Sequence, residues 1–259
     1  MDQAYILCGA LTGLLVGLTG VGGGALMTPL LILFFQIDPL VAVSTDLWFA
    51  SLTKMAGLLI HQRHSQVDWT VVRRLLLGSL PATVIILILM SLGYQISKNV
   101  SLTRGIGAVV LLTAVGLVVS PWLFALARQT RIDQPQIFKR LQGPATNAFG
   151  VVLGVCVSLT SVGAGAIGTL VLMLLYPLRM SPLKLVATDI AHAMPLALVT
   201  AIGYTLMGVP DFHLLQLLLY GSVPAVIIGS LLTQRLHERL VQLLLAAVLL
   251  LVGIKTVLI

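Results

Sequence analysis

The stretch Thr19-Gly20-Val21-Gly22-Gly23-Gly24-Ala25-Leu26-Met27-Thr28 interrupts an apolar run at residues 3–35. A second, Thr160-Ser161-Val162-Gly163-Ala164-Gly165-Ala166-Ile167-Gly168-Thr169, interrupts another at 145–176. Both runs are too long for one simple bilayer crossing, which takes about 20 helical residues. Each reads as two shortened helices meeting at a glycine-rich joint with exposed backbone. In hydrocarbon an unpaired amide is costly, so such joints persist only where they line a cavity or are buried in protein.

The two joints belong to a duplication. At an offset of 141, Thr19, Val21, Gly22, Gly24, Ala25 and Thr28 match Thr160, Val162, Gly163, Gly165, Ala166 and Thr169. From Pro39 the offset is 143: Pro39, Leu40, Val43, Thr45, Asp46 and Ala50 match Pro182, Leu183, Val186, Thr188, Asp189 and Ala193. Further on, Asp68, Gly78, Ser79, Pro81 and Ala82 match Asp211, Gly221, Ser222, Pro224 and Ala225. Chance alignment of apolar residues would not keep Asp, Thr and Pro in step. The chain divides into a first membrane repeat at 1–127, a polar linker at 128–144 and a second membrane repeat at 145–259.

The solvent of these repeats follows from composition. The 259 residues are 58% hydrophobic and 9% charged, with mean hydropathy +1.08, whereas a soluble domain carries about 25% charge. A soluble core of this length could not hide so much apolar side chain. Further apolar runs at 39–60, 75–94, 104–127, 183–209, 213–233 and 238–259 have roughly spanning length. They are unbroken and longer than barrel strands. The expected fold is an all-α polytopic membrane protein, each repeat a glycine-broken pair of short helices followed by three membrane helices.

Charge placement decides how the repeats face. With four crossings per half the halves are parallel, and the basic residues of the loops and segment edges, leaving out Lys54 and Lys255 deeper in apolar runs, split seven against six. With five crossings the second half enters inverted. Arg63, Arg73, Arg74, Arg128, Arg131, Lys139, Arg140, Arg179, Lys184, Arg235 and Arg239 then share one side, and only Lys98 and Arg104 take the other. That asymmetry is what the positive-inside rule expects, so the linker is read as cytoplasmic and both termini as external. The net charge of +7 is therefore a topology signal, and no nucleic-acid partner is implied. Asp2 and the absence of a basic segment ahead of the first run read as a first membrane segment rather than a cleaved signal.

Chemistry is expected at two places. Inverted repeats with helices broken near mid-membrane are a transporter arrangement, with substrate at the repeat interface. Gly22, Gly23, Gly24, Gly163 and Gly165 would present backbone amides at outgoing helix N-termini, where an anion is favoured. The hydroxyls of Thr19, Thr28, Thr160, Ser161 and Thr169 would add donors; close helix packing is the alternative use of the glycines. The second place is Thr45-Asp46 and Thr188-Asp189. A carboxylate inside an apolar run costs roughly 2.5–3.5 kcal/mol on insertion scales, so it either supports a helix start seven residues after Pro39 or Pro182, or faces a polar cavity as a proton carrier. His192, three residues after Asp189, shares its face, making a proton-handling pair or a satisfied core histidine. Lys54 is eight residues after Asp46, about 12 Å along a straight helix, so a direct pair would need a bend or a water. Its repeat partner is Ala197.

Other chemistries find no support. Cys8 and Cys156 lie in apolar runs as small hydrophobes; no His, Cys, Asp or Glu grouping has metal-ligand spacing. There is no nucleophile elbow, and VGGGAL lacks the Lys-Ser/Thr of a phosphate-binding loop. No catalytic residue, metal or cofactor is expected, and an enzyme is disfavoured. A non-transporting assembly subunit would not need two symmetric broken helices.

Together, GLLVGLTGVGGGALMTPLLILFF (13–35), DPLVAVSTDLWFASLTKMAGLLIHQRHSQVDW (38–69), VLGVCVSLTSVGAGAIGTL (152–170) and ATDIAHAMPLALV (187–199) resemble the TauE/SafE sulfite-exporter family of bacterial membrane proteins. The resemblance covers nearly the whole chain. It implies transport of small sulfur-containing anions such as sulfite or organosulfonates, commonly outward, across the bacterial inner or plasma membrane. The family often reads Thr-Ser where this chain has Thr45-Asp46 and Thr188-Asp189. Two carboxylates beside an anion site repel substrate unless protonated or paired, which adds weight to proton coupling. The leading expectation is a secondary transporter of a small anionic substrate, with membrane lipid around it and a homo-oligomer compatible with the sequence. In that reading Thr45 and Thr188 join the glycines as substrate ligands, while Asp46, Asp189 and His192 couple protons or fix the helices. The alternative is a cation or proton pathway using the aspartates.

Overall fold

The structure, a computed structural model, describes the backbone of residues 2–19, 24–62, 67–92, 100–133, 135–162, 165–176, 179–233 and 238–258, and the side chains of most of them. Among these residues the chain is helical throughout, without strands. The first half gives α1 (Asp2–Thr19), α2 (Gly24–Phe35), α3 (Pro39–Gln62), α4 (Trp69–Ser91) and α5 (Val100–Asp133). The second gives α6 (Pro135–Thr160), α7 (Ala166–Leu175), α8 (Pro182–Leu206), α9 (Phe212–Thr233) and α10 (Glu238–Leu258).

Helix boundaries fall where the sequence supplies caps. Asp38 Oδ1 accepts from the Leu40 N–H at 2.9 Å ahead of α3, and Ser181 Oγ accepts from the Lys184 N–H at 3.3 Å ahead of α8. Pro39 and Pro182, whose missing N–H costs nothing in a first turn, open these two helices. Asp68 and Asp211 do the same for α4 and α9, accepting from Val71 N–H at 3.4 Å and Leu214 N–H at 3.0 Å.

Two segments differ in length from the expectation. Only the second member of each glycine-broken pair is short: α2 has 12 residues and α7 has 10, while α1 has 18 and α6 has 26. At 1.5 Å per residue the short ones extend about 18 and 15 Å, roughly half a hydrocarbon core of about 30 Å. Residues 128–144 are helical on both sides of residue 134, as the end of α5 and the start of α6. Polar residues there end the apolar run, yet the described residues on either side of 134 remain helical.

Four helical stretches are long and apolar enough to cross a membrane: Trp69–Ser91, Arg140–Thr160, Lys184–Leu206 and Phe212–Gly229. Shorter apolar helices occupy Asp2–Gly17, Leu26–Phe35, Thr103–Gly116 and Ala246–Leu258. The Lys184–Leu206 stretch of α8 is 67% buried against 33–39% for the other three. It therefore sits at the centre, where it crosses α3, while α4, α6 and α9 present one face outward through residues such as Leu77, Ile85, Val152, Tyr220 and Ile228.

Two helix pairs are held by near-identical contacts. A methyl group on Gly9 of α1 would lie 2.2 Å from the Leu218 carbonyl oxygen of α9, and one on Gly150 of α6 would lie 2.4 Å from that of Leu75 in α4. Gly13 faces Ser222 as Gly154 faces Ser79; Gly221 faces Ile6 as Gly78 faces Asn147. Each correspondence keeps the offsets of 141 and 143 found in the sequence. Small residues at such crossings let backbones approach closely, which is how helices associate where lipid removes the hydrophobic drive between them. The first helix of each half thus packs on the fourth helix of the other.

Candidate functional site

The crossing of α3 and α8 gathers the rare ionisable groups of the interior. Asp46, Asp189 and His192 are almost wholly inaccessible, and Lys54 is 7% exposed. Lys54 stands within electrostatic reach of both carboxylates and of His192. The bend or water that a pair along α3 seemed to need is only half the geometry, since Asp189 reaches the same lysine from the other half.

Around these groups lies a partly completed hydrogen-bond network. Thr28 of α2 donates to Asp46 Oδ2 at 2.6 Å, and Ser79 of α4 lies 3.0 Å from His192 Nε2. Ser161, in the joint before α7, comes close to the Asp46 carboxyl. Yet Ser161 Oγ, Asp46 Oδ1, Asp189 Oδ1 and His192 Nδ1 are all buried without a hydrogen-bond partner among the described residues. Buried polar atoms in folded proteins are ordinarily paired, so these four atoms are the unfilled hydrogen-bonding positions of the cluster.

Neither aspartate caps its helix. Asp38 and Ser181 hold those positions, and Asp46 and Asp189 lie about two turns further in. The capping alternative therefore gives way to pairing or cavity roles. Thr45 and Thr188 are fully buried, and their hydroxyl oxygens accept the backbone N–H of Asp211 at 3.2 Å and of Asp68 at 3.0 Å. They tie each central helix to the start of an outer one in the opposite half.

Of the predicted amide donors, Gly22, Gly23 and Gly163 lie outside the described residues. Gly24 opens α2, and Gly165 is buried just before α7 with φ 147°, a conformation that favours glycine. Among the described residues no side chain caps α7. Thr160 and Thr169 spend their hydroxyls locally: Thr160 donates to the Cys156 carbonyl at 2.7 Å and accepts the Val162 N–H at 3.1 Å, and Thr169 donates to the Gly165 carbonyl. Of the joint hydroxyls with described side chains, Ser161 alone is left over. Ser161 also takes the left-handed φ of 58°, which turns the chain between α6 and α7. Sequence reasoning missed Ser79 as the partner of His192; its place beside Gly78, where α4 closes on α6, was the available signal.

At one rim of the crossing the halves are clamped by charge. Arg179 Nη2 lies 2.8 Å from Asp68 Oδ2, with Lys184 Nζ at 3.7 Å from the same oxygen. The Arg179 guanidinium also stands 5.8 Å from the Tyr176 ring centre. The residue matching Lys184 in the first half is Val41, which carries no charge.

A multi-pass helical bundle with a buried, incompletely paired polar cluster at its central crossing has the build of a membrane transporter. The chain belongs to the sulfite exporter TauE/SafE family, whose pattern it matches over residues 5–256. It is 36% identical to the probable membrane transporter protein YjnA of Bacillus subtilis (strain 168), over 99% of this chain and 100% of that one. It is 25% identical to the probable membrane transporter protein YdhB of the same organism, over 87% of each chain, and 25% identical to a probable membrane transporter protein of Xylella fastidiosa (strain 9a5c), over 88% of this chain and 83% of that one. No solved structure matches the chain.

Proposed function

We propose that the protein is a secondary transporter moving a small anion, a sulfur oxyanion or organosulfonate, across the bacterial cytoplasmic membrane. It works by alternating access between two inverted halves, with Asp46 and Asp189 handling protons. The observation that carries the reading is the α3–α8 crossing, where Asp46 and Lys54 from one half meet Asp189 and His192 from the other. A buried ionisable set at a repeat interface is where substrate and coupling ions bind in such folds. The chemistry of the anion rests on the family, and the uncapped start of α7 behind Gly165 supports an amide contribution.

The inversion is supported by the Arg179–Asp68 ion pair. With four crossings per half, the loops holding these residues would lie on opposite faces of the membrane. The 2.8 Å separation of Arg179 and Asp68 is what the inverted arrangement expects.

A second reading, a cation or proton pathway, is favoured by the unpartnered Oδ1 atoms of Asp46 and Asp189, since carboxylate oxygens are good ligands for hard cations. Flux in reconstituted vesicles separates the two, using a panel of sulfur oxyanions and carboxylates with and without a pH gradient. Anion flux is expected, and flux of cations alone would overturn the anion reading. The Asp46→Asn and Asp189→Asn variants should uncouple flux from the pH gradient; full pH-driven transport in both would remove the proton role.

A further inference from the structure

Resting on the alternating-access part of that reading, we propose that Asp68, Arg179 and Lys184 form a releasable latch on one rim of the molecule. Closed, the latch holds the state described here shut on that face. The face opens when the two cations let go of the carboxylate. The device is one-sided, because the matching rim lacks its parts.

Asp68 is buried, with Arg179 Nη2 at 3.1 Å from its Oδ1 and 2.8 Å from its Oδ2, and Lys184 Nζ at 3.7 Å from Oδ2. Its repeat partner Asp211 is exposed, and among the described residues no ion pair holds it. Val41 stands where Lys184 would. The latch residues also border an apolar cluster. Asp68 precedes Val71 by three residues, Arg179 adjoins Met180 and Lys184 adjoins Leu185, and these three neighbours pack with Leu172 and Tyr176. Among the described residues this cluster is separate from the main core. On the other rim, Leu214, Leu31 and Ala42, which match Val71, Leu172 and Leu185, are part of the main core. The latched rim is therefore the one whose apolar contacts can part with the main core left intact.

The energetics suit a contact that must open and close. Both cations are partly exposed, and ion pairs with a solvent-exposed partner are weak and screened by salt. Such a pair biases one state and still releases. On release Arg179 and Lys184 reach water, while Asp68 Oδ1 keeps the Val71 N–H at 3.4 Å, so the start of α4 stays capped. Thr188 Oγ1 accepts the Asp68 N–H at 3.0 Å. Being next to Asp189, Thr188 places the latch one residue from a proposed proton carrier.

The test follows burial of the apolar cluster by thiol labelling. Leu185→Cys and, as a second reporter should the first fail to fold, Met180→Cys are placed in a Cys8→Ala/Cys156→Ala background. The rate of reaction with N-ethylmaleimide is measured on the detergent-solubilised full chain without substrate. Adding Arg179→Gln/Lys184→Gln should speed labelling about two- to fivefold, the range a partly exposed ion pair supports, with size-exclusion behaviour unchanged. Raising salt from about 0.05 to about 0.5 M, which shortens the screening length roughly threefold, should move the parent toward the same rate and leave the double variant where it is. Arg179→Lys should keep the slow rate. A Leu214→Cys reporter on the matching rim should show no acceleration; equal acceleration there would mean general loosening and would overturn the latch. Sulfite flux of the wild type in vesicles is measured in parallel. If sulfite is moved and neither the double variant nor salt alters labelling, the latch falls alone. If labelling responds as expected and only cations are moved, the latch stands and the anion reading falls.

Discussion

At the residue scale, the Thr28–Asp46 hydrogen bond is the most sharply defined contact in the buried cluster, and its removal is informative. Thr28→Val keeps shape and deletes the hydroxyl donor to Asp46 Oδ2. Loss of a hydrogen bond to a charged group costs about 1.5–3 kcal/mol, so thermal unfolding in detergent should show clear destabilisation. Asp46→Asn should be milder, because its amide oxygen still accepts from Thr28. Equal stability of Thr28→Val and wild type would mean that the bond at 2.6 Å contributes nothing. The two aspartates were legible in the sequence because a carboxylate inside an apolar run is conspicuous on energetic grounds alone. Their joint relation to Lys54 was not. Spacing along α3 governs Asp46 and Lys54, but nothing in a linear pattern states which residue of another helix arrives at the same depth.

At the scale of elements, the starts of α4 and α9 form a matched pair that differs in one respect. Asp68 and Asp211 each cap their helix and donate a backbone N–H to a buried threonine, but only Asp68 also holds Arg179 and Lys184. Loss of a capping side chain costs about 0.5–2 kcal/mol, and Asp68→Ala forfeits the ion pair besides. Because Arg179 is half exposed, that pair is screened and adds roughly 0–1 kcal/mol. Asp68→Ala should therefore destabilise more than Asp211→Ala, with the difference disappearing in an Arg179→Ala/Lys184→Ala background. Unequal losses that persist in that background would assign the asymmetry to something other than the ion pair. The five helices of each half and the proline starts of α3 and α8 could be read from run length and turn residues. The continuation of α5 and α6 toward each other could not, because polar residues signal the end of a membrane span without specifying the end of a helix.

The glycine contacts belong to the same scale. A Cβ on Gly221 would fall 1.9 Å from the Ile6 carbonyl oxygen and one on Gly78 2.1 Å from that of Asn147, whereas one on Gly105 meets nothing within 4 Å. Backbone cannot step aside as a flexible side chain can. Gly221→Val and Gly78→Val should each cost about 3 kcal/mol or more, beyond the usual range for overpacking, and should lower the yield of folded protein. Gly105→Ala should be tolerated or slightly stabilising, since it sits within a helix where alanine is preferred. Comparable yields for all three would show that the crossings are looser than drawn.

For the whole molecule, the proposed inversion assigns the short connection at residue 38 to the external face and that at 181 to the cytoplasmic face. In a background of Cys8→Ala and Cys156→Ala, Asp38→Cys should react with an impermeant maleimide on intact cells. Ser181→Cys should react only after the membrane is opened. Labelling of both from the same side would return the chain to parallel halves. Charge counting could rank the two topologies from sequence. It could not reveal that the first helix of each half is clasped by the other, because the glycines responsible are indistinguishable in one dimension from those that merely pack.

That clasp bears on the protein's history. Since α1 rests on α9 and α6 on α4 through matching glycines, neither half keeps its own leading helix. A half-length ancestor would have had to lend that helix to a second copy and borrow one in return. Fusion would have turned a partnership between two polypeptides into a single gene product. Once the copies were no longer identical, a lysine could settle in one without appearing in the other.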